Sequence, residues 1–305
     1  MQNDIHYLDG VYAAAVTPLN ADYTPDLEAI PGLLNFLAGR GCHGALILGT
    51  TGEGPSFSPE QRMAIYRAAL LVRQAYPDFR LLAGTGTPSL AETIALTKRA
   101  FDLGYDGVVV LPPFYFRKAS EDGLFEWFSQ VLHQAVPHSG ALLGYHIPPV
   151  TGVALPLDLL DRLKQAFPDR FAGIKDSSGD LAHARQLGER FGKDLLVFNG
   201  NDRLFGSALS LHASGCITAM ANLLSPELRQ VWEAFKVDGD STLAQARLTL
   251  GREALDRFPP MPPMIKALLA NLHGFPSWMV CPPLQPAAIE AIQEVTTTFD
   301  SLVPA

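Results

Sequence analysis

Residues 171 to 180 read FAGIKDSSGD: a lysine closes a short apolar run and is followed by an acid, two serines, a glycine and a second acid. In a water-poor pocket the ammonium form of Lys175 is disfavoured, and the resulting amine can attack a carbonyl to form a Schiff base. The plainer alternatives are that Lys175 snorkels to solvent at a strand end or pairs with Asp176. Two further stretches could supply partners for amine chemistry. GTTGEG, residues 49 to 54, is a glycine-interrupted turn whose backbone N–H groups and two hydroxyls can hold a carboxylate, such as that of a 2-oxo acid. The same glycines would also serve a tight βα loop that needs only their backbone angles, or a phosphate cradle. In ALLGYHIPPVTG the phenol of Tyr145 can act as general acid and base, or be an amphipathic tyrosine at a rim.

These residues need elements to position them, and the chain alternates strand and helix signals. Short apolar runs occur at 11–16, 44–48, 80–84, 107–111, 141–145, 172–175, 195–199 and 215–219, giving eight candidate strands. Helical spacing fills the intervals. Ser58 with Gln61 and Ser89 with Glu92 read as capping boxes, and Ser225-Pro226 as a cap with proline at the first helical position. Eight strand–helix repeats predict a (β/α)8 TIM barrel over residues 1–225, and no GxGxxG follows the first strand. Residues 226–305 carry helical patterns broken by FPPMPPM and CPPLQP, and are expected to form a C-terminal helical extension of the same structural unit. Within the sixth run, period-2 alternation places Phe171, Gly173 and Lys175 on one face, with the glycine clearing space beneath the lysine. Lys175 then stands at the C-terminal end of a barrel strand, where active sites of this fold assemble.

The composition narrows the class of molecule. Of 305 residues 48% are hydrophobic and 18% charged, enough apolar content for a large core. A net charge of -8 without a dense Lys/Arg run argues against nucleic acid or an anionic membrane surface as partner. Three scattered cysteines fit a reduced compartment, and the start MQNDIHYLDG lacks an apolar leader, so a cytoplasmic protein is expected. The eight histidines show no paired spacing typical of zinc ligands, and no metal or organic cofactor is expected.

GTTGE after the second strand, YHIPPVTG after the fifth and GIKDSSGD at the sixth together resemble the three signatures of the dihydrodipicolinate synthase and N-acetylneuraminate lyase superfamily of class I, pyruvate-handling aldolases. The segments at 83–116 and 262–274 are similar to their counterparts there. The resemblance implies that Lys175 forms the imine, that Tyr145 shuttles protons with Thr50 hydrogen-bonded to it, and that Gly49, Thr50 and Thr51 receive the substrate carboxylate. It further implies that Gly200 and Ile217 line a pyruvate pocket, that Ser177 tunes specificity, and that Tyr115 reaches a neighbouring subunit's site in a dimer or tetramer. Two departures bear on substrate. Val150 stands where the synthases carry a carboxylate-binding arginine, and Asp202 is followed by Arg203 where the neuraminate lyases have an Asp-Glu pair. Arg203 suits an acid or polyhydroxy group at the far end of the substrate, or an ion pair with Asp202 or Asp180. The expected activity is a carbon–carbon lyase acting on a hydroxylated 2-oxo acid, yielding or using pyruvate and an aldehyde. The alternatives are a synthase-like condensation, a dehydratase or hydratase-aldolase using the same imine, and a retired barrel that only binds a small acid.

Overall fold

The computed structural model describes residues 5–192 and 194–302. All eight apolar runs form strands: β1 Gly10–Ala14, β2 Gly44–Ile47, β3 Arg80–Gly84, β4 Gly107–Val110, β5 Leu142–His146, β6 Phe171–Asp176, β7 Leu196–Asn199 and β8 Gly215–Thr218. In chain order they close into one parallel barrel, with helices between successive strands, as expected of a (β/α)8 fold. The chain divides into two compact units: the segment ending at Gly10 with Arg80–Cys216, and Val11–Phe79 with Ile217–Ala305.

The first unit contains the parallel pairs from β3 through β7. Its strands are buried along their whole length apart from the first residue of β3, as parallel strands covered on both faces must be. One irregularity matters for the site. Leu142 pairs with Phe171 but Leu143 with Gly173, so Ala172 is an extra residue and the alternation of β6 breaks there. Gly173 and Lys175 remain on one face, whereas Phe171 turns to the other and its ring lies against the position of Gly144. The expected three-residue face is thus corrected to two residues. Nor does Gly173 serve to clear space beneath the lysine: a Cβ there would lie 2.0 Å from the carbonyl oxygen of Leu196, so the room is taken by the β7 backbone.

The second unit pairs β1 with β2 and packs the four C-terminal helices Ser225–Lys236, Thr242–Asp256, Met261–His273 and Ile289–Leu302. Leu248, Leu255 and Phe299 are fully buried among them, each such side chain contributing roughly 1.5–3 kcal/mol. Helix starts follow their expected caps in part. Ser58 and Gln61 make both hydrogen bonds of a capping box, while Ser89 accepts from Glu92 N without the return bond. Ser225 is not a cap: it is the first residue of its helix, buried, with Leu224 in the cap position and no side-chain cap bond.

Gly173→Ala is expected to lower stability by about 3 kcal/mol through the forced shift of β7, read as a lower urea midpoint. Gly32→Ala, in an open position of the helix Ala29–Gly39, should instead raise it by about 0.5–1 kcal/mol.

Candidate active site

The β5–β6 register places Tyr145 beside Lys175 and His146 beside Asp176. Neighbours in register on parallel strands share a face, so the two pairs point in opposite directions. Gly144, on the His146 face, abuts Leu155 in the connection that follows β5, and His146 stacks on His183 of the helix Leu181–Phe191. That face looks toward the helices, and the Tyr145 and Lys175 side chains therefore look into the barrel.

Both inward residues are buried, at 4% and 3% exposure. Lys175 Nζ donates a hydrogen bond to Tyr145 Oη at 3.0 Å, and the same nitrogen lies 4.1 Å from the centre of the phenol ring. This removes both plainer readings of the lysine. It has not snorkelled to solvent, and Asp176 is turned away, its Oδ1 accepting from Ser178 N at 3.0 Å. An amine held against a phenol, without a carboxylate at salt-bridge distance among the described residues, is placed for reaction with a carbonyl. Ser177 and Gly200 adjoin this pair through the strand ends. Gly200 N donates to Asp176 O at 2.7 Å, and a Cβ on Gly200 would lie 2.0 Å from Ser177 Oγ, so only glycine fits. Ser177 does not cap the next helix; Asp180 does, accepting from Ala182 N.

The remaining predicted residues are placed as follows. Tyr115 sits on the loop after β4, 75% exposed and edge-on to Phe116, which is equally exposed. Arg203 is exposed in the short 3-10 turn Asp202–Leu204, its backbone N donating to Asn201 Oδ1, whereas the Asp202 beside it is fully buried. Ile217 is a fully buried residue of β8 in the second unit.

Gly49, Thr50 and Thr51 lie in a turn of that second unit that the chain holds in an uncommon conformation. Leu48 and Glu53 have φ of 60° and 56°, a left-handed backbone that costs of order 1–3 kcal/mol at a non-glycine residue. The turn closes on itself through Glu53 N to Thr50 O and Gly54 N to Gly49 O, both 3.1 Å, and Thr17 Oγ1 donates to Gly52 O at 2.6 Å. A Cβ on Gly54 would lie 2.1 Å from Leu48 O. Among the described residues neither the N–H of Thr51 nor that of Gly52 has a backbone acceptor. Unmet N–H groups on such a turn suit an anionic oxygen.

Two groups escaped sequence reasoning. Glu53 is buried against Lys266 of the helix Met261–His273, Nζ to Oε1 being 2.6 Å with both side chains 1% exposed. Burial pulls the Lys266 ammonium below the ordinary lysine range, and the Glu53 carboxylate pulls it back. The signal was present in MIKALL, a lone charge inside an apolar helical run. The second group is His146, Asp176 and His183, whose ligand atoms all lie within 4.8 Å of one another. Its geometry is that of a stack. The rings are 4.6 Å apart and only 23° from parallel, so no nearby point lies in both ring planes, as an ion bound by both would require. His146 Nδ1 also accepts from Leu155 N at 3.0 Å, which leaves the proton of the neutral ring on Nε2.

In sequence and fold this chain is similar to known proteins. The model of the dihydrodipicolinate synthetase family matches residues 7–302. An uncharacterised DapA-like lyase of Chloroflexus aurantiacus is 37% identical over 295 residues, covering 96% of this chain and 97% of the relative. A 4-hydroxy-tetrahydrodipicolinate synthase of Desulforamulus reducens is 30% identical, covering 96% of each. Among solved structures, YagE, a prophage protein of the dihydrodipicolinic acid synthase family from E. coli K12 in complex with pyruvate, superposes with a TM-score of 0.91 at 26% identity, covering 97% of this chain and 98% of that one. No described helix is long and apolar enough to cross a membrane.

Burial holds His146 down to about 4, against the ordinary 6.5, with His183 pushing the same way and Asp176 opposing. A group so depressed binds fewer protons folded than unfolded, so stability is expected to fall as pH drops from about 6.5 toward 4, by on the order of 2 kcal/mol. His146→Asn, which keeps an acceptor for Leu155 N, should flatten that slope in urea midpoints measured across this range. His273, also held near 4 by burial and by Arg40, adds a slope of the same sign that the variant retains.

Proposed function

Because this chain belongs to the dihydrodipicolinate synthetase family, we propose that it is a Schiff-base-forming lyase that cleaves a hydroxylated 2-oxo acid to pyruvate and an aldehyde, or joins them. The observation that carries this reading is the buried hydrogen bond between Lys175 and Tyr145. The Lys175 amine adds to the C2 ketone, and loss of water gives a protonated imine. Tyr145 moves the protons of these steps and takes the proton of the C4 hydroxyl. The electrons of the C3–C4 bond then flow into the imine, the aldehyde leaves, and the enamine is protonated at C3 before water frees pyruvate. The family resemblance assigns Thr50 to the proton relay and Gly49, Thr50 and Thr51 to the substrate carboxylate. Gly200 and Ile217 supply pocket wall, and Ser177 sits at the specificity position. The reaction uses water and no organic cofactor.

Cleavage is favoured over a synthase-like condensation by Val150, an apolar and exposed residue of the turn Pro148–Thr151 where the resemblance leads one to expect a carboxylate-binding arginine. Arg203, exposed on its turn, offers a planar cation to an acidic or polyhydroxy far end of the substrate. The exposed Tyr115–Phe116 pair supports assembly of at least a dimer in which Tyr115 serves a second copy's site, and the family resemblance supports a cytoplasmic location.

Intact mass after incubation with pyruvate and borohydride should show one reduced pyruvyl adduct, absent from Lys175→Ala. Tyr145→Phe should slow adduct formation by about 10²–10⁴-fold. A folded wild type that forms no adduct with pyruvate or larger 2-oxo acids would return the chain to a binding role. With a 2-oxo-3-deoxy acid, pyruvate among the products marks a lyase and a dicarbonyl marks a dehydratase.

A further inference from the structure

The turn Gly49–Gly54 has a support that no part of the proposed chemistry accounts for. Glu53 uses both carboxylate oxygens: Oε1 accepts from Lys266 Nζ at 2.6 Å and Oε2 accepts from Cys281 N at 2.7 Å. Lys266 Nζ also donates to Met279 O at 2.6 Å. One buried ion pair thus ties the turn to a helix and to the segment 279–281, more than two hundred residues further along the chain. All four residues belong to the same compact unit.

Fold stability alone does not explain a pair of this kind. An apolar pair of equal volume would fill the space as well or better, because the desolvation of two charges offsets their attraction. What a carboxylate offers, and an apolar side chain does not, is two directed acceptors that fix where Glu53 sits. That matters at a residue whose left-handed φ of 56° must be enforced by its surroundings. Glu53 N in turn donates to Thr50 O, so the orientation of residue 53 is passed directly to the peptide on which Thr50 and Thr51 stand. The left-handed residue 53 is followed by the close packing of Gly54 on Leu48, which leaves the turn no looser alternative.

We infer that Lys266 and Glu53 are positioning residues of the site: their buried ion pair, anchored on Met279 and Cys281, holds the 49–54 turn in the one conformation that presents Thr51 and the N–H groups of Thr51 and Gly52 to the carboxylate of the 2-oxo acid. The inference rests on the reading of that turn as the carboxylate-binding loop. Neither side chain touches the reacting atoms; both act through the backbone of residues 50 to 53. The C-terminal helical region is on this account part of the substrate-binding machinery, because it alone supplies Lys266.

The test compares wild type with Glu53→Gln, Lys266→Arg and the double variant Glu53→Gln/Lys266→Met, which strands no buried charge and so stays testable where a single change prevents folding. Two readouts are taken on each: borohydride trapping of the imine as a function of pyruvate concentration, and amide hydrogen exchange over peptides spanning residues 48–57. The pyruvate concentration for half-trapping should rise about tenfold or more in the double variant, with full trapping retained at saturation because Lys175 and Tyr145 are unchanged. Exchange should quicken in 48–57 and 279–281 while the peptides of β5 and β6 keep their protection. Lys266→Arg, which keeps the charge, should fall between the double variant and wild type. A folded double variant with wild-type half-trapping, or with unchanged exchange in 48–57, overturns the inference. A wild type that forms no adduct would defeat the Schiff-base reading instead, and the exchange readout would then decide alone whether the pair holds the turn.

Discussion

A hydrogen bond between a buried amine and a buried phenol requires two side chains from different strands at one height and on one face. Lys175 and Tyr145 meet that requirement through the parallel register of β5 and β6, and much else in the first unit follows from it. A slip of one residue would bring Asp176 into the barrel and turn Lys175 toward the helices, exchanging an amine for an acid. The extra residue at Ala172 shows how closely this is set. Without it, the residues that precede Gly173 would keep strict alternation, Phe171 would point inward, and its ring could not pack against Gly144 on the helix side. The bulge lets one strand serve two environments: an apolar ring for the outer layer at its start, and a buried amine for the interior at its end.

The outer face of the same strand ends carries a different set of titratable groups, and the separation is physical. His146 and Asp176 follow Tyr145 and Lys175 directly in sequence, yet they face the helix layer, where His146 accepts from Leu155 N and stacks on His183, and Asp176 caps the start of the turn to Ser178. These bonds fix the connections that leave β5 and β6. A buried imidazole kept neutral is an acceptor at neutral pH and a liability in acid, so the scaffold behind the amine is itself sensitive to protons. The amine–phenol pair and the bonds that support it are thus divided between the two faces of two strands.

Much of this is legible in the sequence, for reasons that can be given residue by residue. The eight strands are readable because parallel barrel strands are buried on both faces and appear as short continuous apolar runs. Lys175 is conspicuous because a charge closes such a run, and Tyr145 because it ends another. Their adjacency, however, depends on register, which no local pattern carries across the 30 residues between them. The role expected of Gly173 fails for a similar reason: a glycine in a strand announces a close approach, but only the neighbouring strand shows that it is the Leu196 carbonyl that approaches. Ser225 looks like a cap because Ser-Pro is a common helix start, and tertiary burial moves the boundary by one residue. His146 stands openly inside YHIPPVTG, since alternation says that it faces away from Tyr145 but not that another histidine waits there. The partner of Glu53 is beyond reach, because a contact spanning 213 residues leaves no trace in the spacing of either motif.

That long contact bears on how a strained turn can exist at all. A left-handed backbone at both Leu48 and Glu53 is unfavourable, and a six-residue loop cannot enforce it with its own hydrogen bonds. The turn closes on itself where Gly54 meets Leu48, and it is over-determined from outside by Thr17 on Gly52 and by the Lys266 ammonium on Glu53. Each support comes from a different part of the chain. Lys266 can be buried only because Glu53 receives it, and Glu53 can be buried only because Lys266 and Cys281 N satisfy both its oxygens. The arrangement is therefore mutual and cannot be assembled stepwise at low cost. The turn reaches its final shape only when the helix Met261–His273 and the segment after it are in place. A strained turn that precedes residue 60 thus depends on residues beyond 260 for its geometry, which gives the helix Met261–His273 a reason to accompany it.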